Sequence, residues 1–509
     1  MKRIISSLLI TALSFVSCKT DDDATGNQPS QTLNLSNLTI ERIGGFTNGS
    51  GNEGYAEISA FDPITKKLFV VNPVDNVISV WDISNPNNPV QGTSIALTSN
   101  PNSVSVNDKK LAVALENSNK QNPGYLALYK TDTQELVATY NAGALPDMVT
   151  FSPDGKYLIS ANEGEPNDDY TVDPEGSVTV VELENGVTHQ LNFTSFNGQT
   201  IGNDFRVFGP NASLAQDVEP EYITVSSDSK YAYVSLQENN GMAVVNLETK
   251  SISSLFGLGT KNHNLPNNMI DASNKDDIIG NFKNWPVYGF YQPDAIDYVS
   301  INGVGYIVSA NEGDARDYDG YSEEERIKDL TLDPTVFPNA AELQELANLG
   351  RLKTTTANGD VDGDGDYDKL YSYGARSFSI WATDGTLVYD SGDIIGKKNY
   401  ELNSGLFNCD DGEADGRSDD KGAEPEAVTT LRVLDKTLLF VGLERTGGAM
   451  VFNITNPTSP EFVSWVYETS DVAPEGLLVI PANESPNGKD LLIITNEVSN
   501  TISIYELNY

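Results

Sequence analysis

Between Asp360 and Asp368 an aspartate stands at every second position, with Gly363 and Gly365 interleaved. Hard oxygen ligands at alternate positions with glycine at the sixth are what the opening of an EF-hand-type calcium loop requires. The pattern departs from that loop at its twelfth position, where Tyr371 replaces the bidentate glutamate. Asp360, Asp362, Asp364, Asp366 and Asp368 are therefore candidate ligands for Ca2+ or another divalent metal, Asp366 through its backbone carbonyl if it follows the EF-hand order.

Other acidic residues recur at two fixed places. One set is Asp147, Glu221, Asp294, Glu426 and Glu475, and the other is Glu116, Glu163, Glu238, Glu312, Glu444 and Glu497. Two carboxylates about 5 Å apart repel by roughly 3 kcal/mol at an effective dielectric near 20. A cluster of them must bind cations, recruit Arg or Lys, or hold protons. Glu163, Glu221, Asp294, Glu312 and Glu426 are accordingly candidate metal ligands. Beside them, Glu312-Gly-Asp314-Ala-Arg316 and Arg417-Ser-Asp-Asp-Lys421 mix both charge signs. Arg316, Arg417 and Lys421 either neutralise the carboxylates or hold an anionic group such as phosphate beside a metal. In the second case Glu312, Asp314, Arg316, Arg417 and Lys421 are the candidate catalytic residues of a metal-dependent phosphatase or phosphodiesterase. His189 and His263 are the only histidines, and there is no Walker A loop, CxxC or nucleophile elbow.

The elements that position these residues come from an internal repeat. PDMVTFSPDGKYLISANEGE from Pro146 recurs as related stretches from Pro101, Pro220, Pro293, Pro425 and Pro474, and in degenerate form from Tyr55, which makes seven copies. Each reads as an inner strand, a short turn and a second strand, followed by a third alternating strand such as VTVVEL from Val178, and in most copies a fourth, more polar one. Seven such units predict an all-β, seven-bladed β-propeller of four-stranded antiparallel blades over residues 37–509. After Tyr509 the last unit lacks its fourth strand, and the segment Asn37 to Phe46 is expected to supply it and close the ring. Strand direction then sends the long loops 163–176, 194–219, 256–292, 313–375 and 393–424 to one face, together with both acidic sets. Helices are expected at Glu323 to Leu330 and Ala340 to Leu349, confined to the insertion 313–375.

The 32 basic residues against 73 acidic ones give a formal net charge of −41. Nucleic acid and anionic membrane surfaces would be repelled, so divalent cations are the expected partners. Lys2 and Arg3 precede an apolar run from Ile4 to Val16 that is too short to span a bilayer, and Phe-Val-Ser-Cys18 follows like a lipobox. Residues 1–17 are read as a lipoprotein signal peptide, Cys18 as the lipidation site and 18–36 as a flexible tether. The expected location is the outer membrane, with the protein exposed at the cell surface and touching the membrane only through the lipid. Cys409 is the one other cysteine, so no internal disulfide can form.

In ANEGE from Ala161, DVEPEYI from Asp217, ANEGDARDYDGYSEEER from Ala310, YGARSFSIW from Tyr373 and RSDDKGAEPEAV from Arg417, the chain resembles the choice-of-anchor I family. That family includes mesenchyme-specific cell-surface glycoproteins linked to biomineralisation, and bacterial relatives are labelled alkaline phosphatase-like. The resemblance implies a surface-anchored propeller, with the lipid as this member's anchor. Three functions follow as expectations. One is a calcium-binding propeller recognising an extracellular ligand or partner. Another is a metal-dependent phosphoester hydrolase acting on a phosphorylated small molecule, with a purely structural surface component as a third.

Overall fold

The computed structural model describes residues 32–509 apart from 52 and 411. The expected signal peptide, Cys18 and most of the 18–36 tether lie outside the described residues. Within each repeat the alternation of apolar residues produces a sheet graded from core to solvent. Tyr157–Asn162 and Ser177–Glu182 are buried over nearly their whole length, whereas the outermost strand Val187–Asn192 is mostly exposed. Central strands apolar on both faces must stack between two other sheets, which a radial arrangement provides.

Seven sheets, six of four strands and one of five, carry this pattern. Their innermost strands are Ser59–Asp62, Pro101–Asn107, Pro146–Phe151, Pro220–Val225, Ile296–Ile301, Pro425–Val433 and Pro474–Ile480. Each touches the next in that order, and the last touches the first, so the sheets close a ring around a central channel: a β-propeller. The final sheet is completed as expected. Thr39–Thr47 pairs antiparallel with Thr501–Asn508, and Phe46 stacks on Trp81 of the neighbouring sheet at 3.8 Å. This pairing removes an open edge and locks the two ends of the described chain together.

Inner strands run from one face, called the top, towards the other. Most turns at the bottom are short, as at Gly155 and Asn302-Gly303, the exception being 481–490 between Pro474–Ile480 and Leu491–Asn496. The long segments lie at the top, where 256–292 and the insertion 313–375 share a small apolar core that includes Trp285, Ile327, Leu343, Leu349 and Leu370. The helices there differ from expectation. In place of a helix from Glu323 to Leu330, Glu324–Arg326 is a strand paired with Lys353–Thr355, followed by a 3-10 turn at Ile327–Asp329. The buried pairing of Glu323 with Arg206 turns this segment inward, and that tertiary contact outweighs helix propensity. The second helix is only Ala340–Leu343, because Leu349 and Gly350 fold back onto the carbonyls of Leu343 and Glu345. Nor are helices confined to the insertion: the longest among the described residues, Ile394–Asn403, lies in the 393–424 segment.

Candidate functional site

The two acidic sets meet because of a repeated backbone bond. The N–H of Glu163 donates to the carbonyl of Leu145 at 2.8 Å, that of Glu444 to Glu424 at 2.9 Å, and that of Glu497 to Ala473 at 2.7 Å. Each acceptor stands two residues before an inner-strand acid: Asp147, Glu426 and Glu475 respectively. Leu145, Glu424 and Ala473 adopt positive φ of 47°, 50° and 59°, as does Gln292 (φ 40°) two residues before Asp294. A non-glycine residue there costs about 1–2 kcal/mol. The strain recurs because it seats one carboxylate beside another at the channel mouth.

Buried asparagines hold the second strands in place. Asn162 donates to Ser177 Oγ and Thr179 Oγ1 at 3.2 and 2.9 Å, and Asn311 donates to Ser377 Oγ and Ser379 Oγ at 3.1 and 2.8 Å. The next residue is Glu163 in one case and Glu312 in the other. Gly313 (φ 94°) then turns the chain away, where a Cβ would lie 2.0 Å from the nitrogen of Gly374.

The mouth opens into a cavity of about 450 Å³ lined by Glu57, Asp147, Asp294 and Glu475 among other residues. Tyr222 lines both this cavity and one of about 280 Å³ further down the channel. Glu57 belongs to the ring although it was not among the recurrent acids read from the sequence. The spacing could have found it, since Glu57 precedes Phe61 as Asp147 precedes Phe151. Among the described residues, Asp294, Glu312 and Glu426 offer oxygens all within 4.8 Å of one another, and Glu312, Glu424 and Glu444 do the same. Glu163 and Glu221 sit on the same rim, outside these two groups.

Burial and mutual repulsion favour the protonated forms. Glu57 is pushed up to about 9 by burial and by Glu475, and Glu444 to about 9 by burial and by Glu312. Burial raises Glu238 and Glu475 to about 7 and Asp147 to about 6. Glu163, Glu221, Asp294 and Glu426 are held well above the carboxylate range, by burial first and then by neighbouring carboxylates.

The three singled-out basic residues are each paired. Arg316, 1% exposed, meets Asp217 Oδ1 at 2.6 Å and Glu219 Oε1 at 2.9 Å. Arg417 meets Glu424 at 2.5 Å and Asp420 at 3.0 Å, and Lys421 meets Glu312 at 2.5 Å. Asp314 stays near this group, and its carboxyl is raised by burial against the pull of Lys421.

The aspartate loop lies apart, on the exposed surface of the insertion. Asp360 accepts from the N–H groups of Gly363 and Gly365 at 2.7 and 3.0 Å, and Asp368 from that of Val361 at 2.9 Å. Asp360, Asp362 and Asp368 form one group of oxygens within 4.8 Å, and Asp333, Asp366 and Asp368 form another. Asp364 belongs to neither. Tyr371, at the twelfth position, is buried in a short strand and stacks on Phe290 at 4.9 Å. Asp333 closes the loop from outside the motif. A backbone bridge between Leu332 and Tyr367 brings it there, and no local spacing announces it.

A family profile described as "Choice-of-anchor I domain" matches residues 57–457. The chain is similar to Gigasin-3a of Magallana gigas, 28% identical over 191 residues, covering 32% of this chain and 66% of that protein. It is also similar to the mesenchyme-specific cell surface glycoprotein of Strongylocentrotus purpuratus, 26% identical over 373 residues, covering 63% of this chain and 46% of that protein. Among solved structures, Kuenenia stuttgartiensis hydrazine synthase aligns with TM-score 0.48 and 11% identity, over 90% of this chain and 97% of that one.

Proposed function

The chain belongs to the choice-of-anchor I family, and from that premise we propose that it is a surface-displayed, calcium-binding β-propeller that recognises an extracellular ligand. The observation that carries the cation reading is the convergence of Asp333, Asp360, Asp362, Asp366 and Asp368 into two oxygen groups sharing Asp368. Carboxylate oxygens without nitrogen or sulfur ligands suit Ca2+ or Mg2+ and disfavour zinc or copper. The relative named as a cell surface glycoprotein supports display outside the cell. A lipid on Cys18 would supply the anchor.

A binder fits better than a phosphoester hydrolase. Arg316, Arg417 and Lys421 each already pair with a carboxylate, so a phosphate would have to compete with these contacts.

Calorimetric titration with calcium tests the loop. Asp368→Asn removes the residue common to both groups, and loss of the corresponding heat is expected with the thermal midpoint unchanged in chelator. Unaltered calcium binding in Asp368→Asn would sink the loop reading. Palmitate labelling in the native host should disappear in Cys18→Ala, and labelling that persists would rule out that anchor. Turnover of aryl phosphates, a phosphodiester or phytate would restore the hydrolase.

A further inference from the structure

The channel mouth gathers more carboxyl groups than its own basic residues pair. Among the described residues no lysine or arginine nitrogen lies within 4.0 Å of the carboxylates of Glu221, Glu238, Asp294 or Glu426, whereas Glu312 and Glu424 are paired. Glu238 is 5% exposed, and its Oε2 has no hydrogen-bond partner. Oε2 of Glu221 and Oε2 of Glu426 are likewise buried without one. Glu238 is the charge that weighs most on Glu221, and Asp294 comes next. Gln237, adjacent to Glu238, donates to Glu312 Oε2 at 3.0 Å. Of these residues Glu426 belongs to the group formed with Asp294 and Glu312, whereas Glu221 and Glu238 stand beside it, with Asp314 and Arg316 the charges that act most on Glu238.

Oxygens within 4.8 Å of one another can share an ion whose ligand distances are about 2.3–2.6 Å, because ligands on opposite sides of such an ion lie about 4.6–5.2 Å apart. Lys421 occupies one flank of this site. Its ammonium donates to Glu312 Oε1 at 2.5 Å and lies 3.6 Å from Glu424 Oε2. Glu424 in turn holds Arg417 and Arg445. Glu312 therefore faces two ways, towards Lys421 and towards Asp294 and Glu426.

We propose that the channel mouth holds a divalent metal ion between Asp294, Glu312 and Glu426, and that Lys421 is the internal cation this ion displaces from Glu312. On displacement the ammonium retreats to Glu424, which it already approaches, so no new charge is stranded. This site is distinct from the aspartate loop and stands if the loop binds nothing.

The test uses the purified protein carrying Asp360→Asn and Asp368→Asn, which silences the outer loop, titrated with calcium by calorimetry and followed by thermal melting. One class of calcium binding is expected to remain. Adding Glu426→Gln should remove it together with the calcium-induced rise in melting temperature. In chelator the same variant should melt no lower than its parent, since repulsion is relieved, which separates lost binding from misfolding. Adding Lys421→Met instead should tighten calcium binding about tenfold, the scale of one charged hydrogen bond. No calcium response in the loop-silenced protein, or an undiminished one after Glu426→Gln, would overturn the site. Unchanged or weaker binding after Lys421→Met would overturn the role given to the lysine.

Discussion

The ammonium of Lys421 donates to Glu312 Oε1 at 2.5 Å, although the two residues stand 109 apart in sequence. Glu312 directly follows the second strand of one blade, Val304–Asn311, and Lys421 arrives on the segment leading into the next. One carboxylate thereby joins two groups, one provided with bases and one without. The cost of gathering acids at the mouth is offset on one side by Lys421, Arg417 and Arg445. On the other side it falls to protons or to an added cation.

Stability without metal should fall as pH rises. The carboxyl of Glu57 titrates near 9 in the fold against 4.5 as its ordinary value, and Asp147 near 6 against 3.8. Such groups bind protons more tightly when folded, so their contribution is complete below the unfolded values and is lost as pH rises through the folded ones. Melting temperature in chelator is expected to drop between about pH 4 and pH 9, and saturating calcium should flatten the drop. A chelator profile that rises over this interval would contradict the assignment.

Arg316 should matter for folding. It is 1% exposed between Asp217 and Glu219, themselves buried. Arg316→Met leaves two uncompensated acids and should lower unfolding free energy by about 3–5 kcal/mol. Adding Glu219→Gln should recover part of that loss in denaturant titration. A midpoint unmoved by Arg316→Met would show the pair to be dispensable.

Gly313 and Gly363 should respond differently to alanine. Both have positive φ, 94° and 80°, but a Cβ on Gly313 would meet Gly374 at 2.0 Å while one on Gly363 meets nothing within 4 Å. Gly363→Ala should cost about 1 kcal/mol from backbone strain alone. Gly313→Ala should cost about 2 kcal/mol or more, because two backbones must part. It should also weaken calcium binding at the mouth through its neighbour Glu312. Equal costs in chemical denaturation would refute the steric argument.

Much of this was legible from order along the chain. Alternation of apolar residues and the seven related stretches predicted the ring, its closure by the segment Asn37 to Phe46 (observed as Thr39–Thr47) and the single acidic face, because strand pairing and direction follow from periodicity and turn length. The aspartate loop was visible because its aspartates lie close in sequence. Glu57 was missed there, although aligning Phe61 with Phe151 would have found it.

What the tertiary structure alone decided depends on groups distant in sequence. Asp333 reaches Asp366 and Asp368 through one backbone bridge. Glu323 abandons a helical position to meet Arg206, and Lys421 selects Glu312 among many carboxylates. Leu145, Gln292, Glu424 and Ala473 adopt left-handed backbone that their residue types disfavour. Periodicity specifies which face a side chain occupies. Which charges share a buried space is set by packing, where the cost of an unpaired ion exceeds any local preference.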